Sequence, residues 1–346
     1  MTVDLKALYV MMLRTRLFEE RVQVMWEKGR ISGEMHMSIG EEGVAAGVVS
    51  RLQEDDAMAL DHRGTAPLLM WGEDPVLLLK EFLGRPDGLC RGQGGHMHLF
   101  SQKHTAASSG IVGASGPAAA GFALALKMQK KEGALAVAFF GEGSMNQGML
   151  LESMNLSSAW RLPVVFVCKD NGLSITTLSS EVTGGDLRQR AQGLGLTPYE
   201  ADGTRVESVQ EAASSAFQAV REGGPPAFLL CRCFHYEGHF LGDGYLRILR
   251  RPLRQGRHMA GETIRSLVSS EGERRVARLR NLKRALTRID RARLEQKARS
   301  VDPLRLARER LKAEGDWLTQ TEEKVRAEME SVVSEALEDP GRGAVE

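Results

Sequence analysis

The sequence holds few cysteines, few aromatic residues, no surplus of charge and no long unbroken apolar run. Four cysteines in 346 residues, Cys90, Cys168, Cys231 and Cys233, cannot staple a chain of this size, and none stands in a Cys-x-x-Cys pair. A disulfide scaffold is therefore excluded. Cys231 and Cys233 fall on one face of an expected strand without clear Cys or His ligands nearby, which reads as core packing rather than a metal site. Lys plus Arg number 46 against 45 Asp plus Glu, leaving a net charge of +1, so a uniformly basic nucleic-acid binder is excluded as well. Residues 111–126, the longest apolar stretch, are interrupted by Gly113, Gly116, Pro117 and Gly121, which argues against a membrane span. The opening Met1-Thr2-Val3-Asp4 has no basic region feeding an apolar one; the expectation is a cytoplasmic protein without a secretory signal.

What is present is ordinary for a globular chain: 42% hydrophobic and 26% charged residues. The length predicts about two domains or one large layered structure. Leu5, Leu8, Met12, Leu13 and Leu17 recur at helical spacing and predict an entry helix. Short apolar runs at 57–60, 135–140, 164–168 and 227–233 alternate with helical patterns. That rhythm predicts an α/β fold, a mostly parallel sheet with helices on both faces, followed by a helical C-terminal region.

The charge is unevenly spread. Residues 245–301 carry 17 Lys plus Arg against 5 Asp plus Glu, and Val276, Leu279, Leu282, Leu286 and Ile289 form one apolar stripe on this Arg-rich segment. The expected organisation is an α/β domain over 1–245, a basic helical insertion over 246–301 and C-terminal helices over 302–346. Asp302-Pro303 opens the first of those helices, and Thr321-Glu322-Glu323-Lys324 is expected to open the last, through Leu337. The basic helix could dock a partner chain. As a nucleic-acid site it is poor, because no aromatic residues interleave with its arginines.

The most informative passage is an apolar run ending at Phe140, then Gly141-Glu142-Gly143-Ser144, a helical stretch to Trp160, a second apolar run to Cys168, and Lys169-Asp170-Asn171-Gly172. A right-handed crossover makes the two strands parallel, so Glu142 and Asn171 both emerge at the carboxyl edge where open α/β sheets bind ligands. The flanking glycines allow backbone close to a ligand, and the amides opening the next helix can hold phosphate. A carboxylate, a carboxamide oxygen and a backbone carbonyl make an incomplete oxygen shell, which suits Mg2+ completed by diphosphate oxygens.

Gly-Glu-Gly followed by 26 residues and Asp-Asn matches the thiamine diphosphate signature Gly-Asp-Gly, some 25 residues, Asn-Asn. With Met35-His36-Met37-Ser38-Ile39-Gly40-Glu41-Glu42, His62-Arg63-Gly64, Gly92-Gln93-Gly94-Gly95-His96-Met97-His98, Gly110-Ile111-Val112-Gly113 and Gly238-His239-Phe240, the chain resembles the alpha subunits of thiamine diphosphate-dependent 2-oxo acid dehydrogenases. That family includes the pyruvate, branched-chain and acetoin enzymes. The resemblance implies a thiamine diphosphate-binding fold in which Glu142, Asn171 and the carbonyl of Leu173 bind Mg2+. It also implies that Gly141, Gly143 and Ser144 line the diphosphate, that His62 and Arg63 reach it, and that Gly110 and Val112 contact the aminopyrimidine. His239 would face the thiazolium and the diphosphate side, and His36 the substrate. Leu173 stands where the family usually has Tyr, and Glu142 where Asp is commoner.

The implied activity is oxidative decarboxylation of a 2-oxo acid, or cleavage of an acyloin, with acyl transfer to a lipoyl group. Thiamine diphosphate supplies the electron sink. The implied partners are a beta subunit, in an alpha2-beta2 heterotetramer, and the lipoyl acyltransferase core. A transketolase-like half-enzyme and a non-catalytic nucleic-acid or protein binder acting through the basic helix are the alternatives.

Overall fold

The computed structural model describes residues 4–175, 177–235, 239–241 and 302–338. The basic insertion expected at 246–301, its apolar stripe and the boundary at 245 lie outside the described residues. Helix α1 (Leu5–Glu27) begins where the Asp4 carboxylate accepts the Ala7 N–H at 3.1 Å. Then follow α2 (Glu42–Val49), β1 (Ala57–Leu60), α3 (Thr65–Trp71), α4 (Pro75–Phe82), β2 (Phe100–Ser101), β3 (Ala106–Ser108) and α5 (Ser115–Met128). Next come β4 (Ala136–Gly141), a 3-10 turn (Glu142–Asn146), α6 (Gly148–Ala159), β5 (Val164–Asp170), β6 (Leu173–Ser174) and β7 (Thr177–Leu178). The remaining elements are α7 (Ser179–Val182), α8 (Leu187–Gly193), β8 (Thr197–Asp202), α9 (Val206–Arg221), β9 (Ala227–Arg232), α10 (Pro303–Arg310) and α11 (Gly315–Leu337).

Seven strands form one sheet in the order β2-β3-β1-β4-β5-β9-β8, and β2 alone runs antiparallel. The central strands are apolar along most of their length, up to the polar residues at their carboxyl ends, because helices cover both faces. Along β4, Val137 and Phe139 join the core beneath α1, α2 and α9, whereas Ala136, Ala138 and Phe140 pack with α5 and α6. Strand β5 repeats the division, with Val165 and Val167 on one side and Val164, Phe166 and Cys168 on the other. The chain leaves β1 to build β3 on one side and then β4 on the other, which opens a crevice at the strands' carboxyl ends.

Two sequence expectations change. The last helix begins at Gly315 rather than near Thr321; Leu318 in its first turn is buried, and Trp317 packs against Tyr9 of α1 at 6.1 Å between ring centroids. Strand β8 was not expected, because an edge strand reading Thr-Pro-Tyr-Glu-Ala-Asp has no apolar run to announce it. Among the described residues, no helix is long and apolar enough to cross a membrane.

Candidate active site

Glu142 directly follows β4 and is buried at the start of the 3-10 turn. Its Oε1 accepts the Ser179 hydroxyl at 2.6 Å, and its Oε2 accepts the Asn171 N–H at 3.4 Å. Beyond β5, Asp170 Oδ1 accepts the Gly172 N–H at 2.9 Å and Asn171 Oδ1 accepts the Leu173 N–H at 2.8 Å. These side chains turn the backbone through Gly172, at φ +74°. A Cβ on Gly143 would run into Ser174 Oγ, so glycine lets the two loops close on each other without displacing that side chain. Gly141 is in register with Lys169 across the β4–β5 pair, Ser144 is buried in the 3-10 turn, and Leu173 lies half-buried in the adjoining loop.

Burial pushes the Glu142 carboxyl up to about 7; the Asp170 charge adds to the rise and the Ser179 hydroxyl opposes it. Among the described residues Glu142 has no ion-pair partner. A buried carboxylate beside the Asn171 loop, with no neutralising cation among the described residues, is an oxygen donor that fits a hard divalent ion such as Mg2+.

A second group stands at the carboxyl ends of β1 and β9. Arg63 is buried: its Nε donates to His235 Nε2 at 2.8 Å, its Nη1 to His62 Nε2 at 2.9 Å and its Nη2 to the His239 carbonyl at 3.0 Å. Lys169 bonds Glu41 Oε2 and Asp61 Oδ2, both at 2.8 Å. The result is a buried set of two cations against two carboxylates. Burial opposes ionisation of Glu41, but Lys169, then His235 and Arg63, hold its carboxyl well below the usual range.

His36 comes from the loop before α2 and His96 from the glycine-rich loop after α4. The His36 backbone N–H donates to His96 Nε2 at 3.1 Å, which makes that nitrogen an acceptor; His36 Nδ1, 2.9 Å away, therefore donates to it. Burial, reinforced by the Arg63 charge, lowers His36 to about 3, His62 to about 2 and His96 and His239 to about 4. All four imidazoles are neutral near pH 7.

Gly110 and Val112 follow β3 at the same edge. A Cβ on Gly110 would meet Met97 Sδ at 3.1 Å, and one on Gly113 would meet Gln147 Cβ at 3.1 Å, so this turn is wedged between the glycine-rich loop and the start of α6. Ile111 and Val112 are left 61% and 54% exposed, which presents an apolar rim beside the edge.

The fold therefore brings Glu142, Asn171 and Leu173 together, gathers His36, His62, Arg63 and His239, and sets Gly110 and Val112 along the rim. Sequence reasoning missed Glu41, Asp61, Lys169 and Ser179 as parts of the site. Of these, Lys169 carried a local signal, a cation directly after the apolar run of β5.

A mostly parallel sheet with a crevice at its carboxyl edge defines an α/β ligand-binding fold, and solved structures share it. A transketolase variant from Pichia stipitis superposes with TM-score 0.51 at 16% identity, covering 70% of this chain and 38% of that one. The transketolase from Campylobacter jejuni gives 0.53 at 14% identity, covering 74% and 43%. The chain thus shares their fold and spans about two fifths of their length. At the sequence level, the family model for the dehydrogenase E1 component matches residues 9–249. The alpha subunit of acetoin:2,6-dichlorophenolindophenol oxidoreductase from Cupriavidus necator is 39% identical over 241 residues, 69% of this chain and 72% of that relative. The pyruvate dehydrogenase E1 component subunit alpha from Zymomonas mobilis is 37% identical over 243 residues, 69% and 68% of the two chains. The chain belongs to the dehydrogenase E1 component family, among the alpha subunits of thiamine diphosphate-dependent 2-oxo acid dehydrogenases.

Proposed function

We propose that this chain is the diphosphate-binding half of a cytoplasmic thiamine diphosphate-dependent enzyme. It would act with a beta subunit, in an alpha2-beta2 assembly, to cleave a 2-oxo acid or an acyloin and pass the acyl group to a lipoyl arm. The observation that carries the reading is the meeting of buried Glu142 with the Asn171 loop at two adjoining strand ends. Thiamine diphosphate, when bound, supplies the electron sink that no side chain can provide.

Glu142, Asn171 and the Leu173 carbonyl would hold Mg2+, with Gly141, Gly143 and Ser144 lining the diphosphate. His62 and Arg63 would approach the phosphates from β1. The Arg63 charge is held in place by three other contacts, so its orientation costs little further entropy on binding. Gly110 and Val112 would face the aminopyrimidine. His36 donates through Nδ1 to His96, which leaves Nε2 as its proton-accepting atom toward a substrate. His239, neutral and anchored through its own carbonyl to Arg63, would offer a second imidazole beside it.

Calorimetric titration of thiamine diphosphate with Mg2+ into the chain co-expressed with its beta subunit tests this. Stoichiometric binding that is lost in Glu142→Gln, together with reduction of an artificial electron acceptor by a 2-oxo acid or acetoin, is expected. Turnover of a ketose phosphate instead would move the chain to a transketolase-like reaction, and absence of binding would overturn the proposal.

A further inference from the structure

Residues 35–41 carry both His36 and Glu41, yet they lie in no helix or strand. Two buried carboxylates hold this loop by its backbone instead. Glu19 of α1 accepts the Ser38 N–H through Oε2 at 2.8 Å and Oε1 at 3.0 Å, and Glu42, opening α2, accepts the Gly40 N–H through Oε2 at 2.7 Å. The other Glu42 oxygen, Oε1, accepts the Arg16 Nε–H at 2.5 Å, and Arg16 Nη1 and Nη2 donate to Asp302 Oδ2 and Oδ1 at 2.9 and 3.1 Å. We propose that Asp302 is a positioning residue of the active site, acting on the His36 loop through Arg16 and Glu42. The chain of contacts does not depend on a cofactor; its catalytic consequence rests on the role given to His36 above.

The links act in series. Arg16 is buried and presents a planar fork, so the two-pronged contact with Asp302 fixes the orientation in which Nε meets Glu42. Burial raises the Glu42 carboxyl, and the Arg16 charge opposes that rise. The guanidinium that Asp302 orients therefore favours the charged carboxylate, the stronger acceptor for the Gly40 amide. Without the Asp302 charge, the fork loses the partner that holds it against Glu42, and the loop loses the fixed end of its support.

Asp302 has a second task, which separates from the first by atom. Its Oδ1 caps α10 by accepting the Leu304 N–H at 2.9 Å, whereas its Oδ2 faces Arg16 Nη1. Asparagine caps a helix about as well as aspartate, so Asp302→Asn keeps the cap while setting an NH2 donor against the guanidinium. The start of α10 is also seated directly on α2: a Cβ on Gly43 would stand 3.0 Å from Pro303 Cβ and 2.6 Å from the Gly203 carbonyl oxygen. The contact spans 286 residues of sequence and joins the C-terminal helices to the loop that delivers His36.

Hydrogen exchange at the Gly40 amide, read without cofactor in the full-length chain co-expressed with its beta subunit, tests the contact directly. Asp302→Asn, verified as folded by circular dichroism, should speed exchange at Gly40 by about 10-fold or more. Arg16→Lys, which leaves the cap in place but has no planar fork, should do the same. Glu322→Gln is the control: Glu322 of α11 accepts from Tyr9 of α1 and Arg308 of α10, so its loss loosens the same helices without touching Arg16, and Gly40 should exchange as in the wild type. With a 2-oxo acid or acetoin and an artificial electron acceptor, Asp302→Asn should lower kcat by about 10- to 100-fold, with thiamine diphosphate affinity unchanged and with Glu322→Gln turning over as the wild type does. Gly40 exchange unmoved in both Asp302→Asn and Arg16→Lys overturns the proposal. So does exchange accelerated equally in Glu322→Gln, or kcat undiminished in Asp302→Asn. A wild-type assembly that binds no thiamine diphosphate overturns the proposed function instead, and the Gly40 measurement still decides whether Asp302 holds the loop.

Discussion

Glu81→Gln gives the sharpest test of how the histidine cluster is held. Glu81, on α4, is 1% exposed. Its Oε2 accepts the N–H groups of Cys90 and Gly92 at 2.7 and 2.8 Å, and its Oε1 accepts those of Gly94 and Gly95 at 2.7 and 3.2 Å. One carboxylate thus replaces a strand partner for a loop that has none, and that loop delivers His96 to His36. Glutamine keeps one oxygen, and with it two of the amides; the other two then face an NH2 donor. Two buried N–H groups losing their acceptor cost about 1–3 kcal/mol each, or roughly 2–6 kcal/mol together. The loop can open without global unfolding, so hydrogen exchange is the direct assay. A 2 kcal/mol loss corresponds to about 30-fold faster exchange at Cys90, Gly92, Gly94 and Gly95. Exchange unchanged at these four amides, with the denaturation midpoint also unmoved, would refute the view that Glu81 organises the loop.

Two further changes probe the buried charges. Burial and the Glu42 charge raise the Glu19 carboxyl to about 8, against the opposing Ser38 N–H and Arg16. A carboxyl raised on folding holds its proton in the native state and loses it on unfolding, so its contribution to stability falls as pH rises from 4.5 to 8. The stability difference between wild type and Glu19→Gln should therefore decline across that window by up to about 1.4 kcal/mol per pH unit and level off above it; a flat difference in urea melts would exclude the linkage. Lys169→Met leaves Glu41 and Asp61 buried without their shared cation and should cost about 3–5 kcal/mol near neutral pH. Both carboxyls are held below their ordinary range in the native protein, so the deficit should shrink as acid neutralises them. A deficit that stays constant between neutral and acidic melts contradicts the electrostatic cause.

The framework was legible because its signals are local. Strands β4 and β5 are apolar on both faces, so each reads as an unbroken run, and the turns that follow announce themselves with Gly141-Glu142-Gly143 and Asp170-Asn171-Gly172. Parallel crossover handedness then puts Glu142 and Asn171 at one edge without any knowledge of long-range contacts. Helix α10 was equally readable, since Asp302 caps it and Pro303 occupies its first turn. Where local signals were weak, the reading slipped: Gly315 is a poor helix former, yet α11 begins there because its first turn packs on α1.

The electrostatics of the site were decided by tertiary structure alone. Arg63 meets His235 across 172 residues of chain, Lys169 meets Glu41 across 128, and His36 meets His96 across 60. No periodicity or turn chemistry encodes such pairings, because they arise only when separate loops converge on one sheet edge. Sequence determined which strand ends would carry oxygen and nitrogen donors. Burial beside neighbours brought in from elsewhere in the chain determined which of those groups are charged, which are neutral and which face one another.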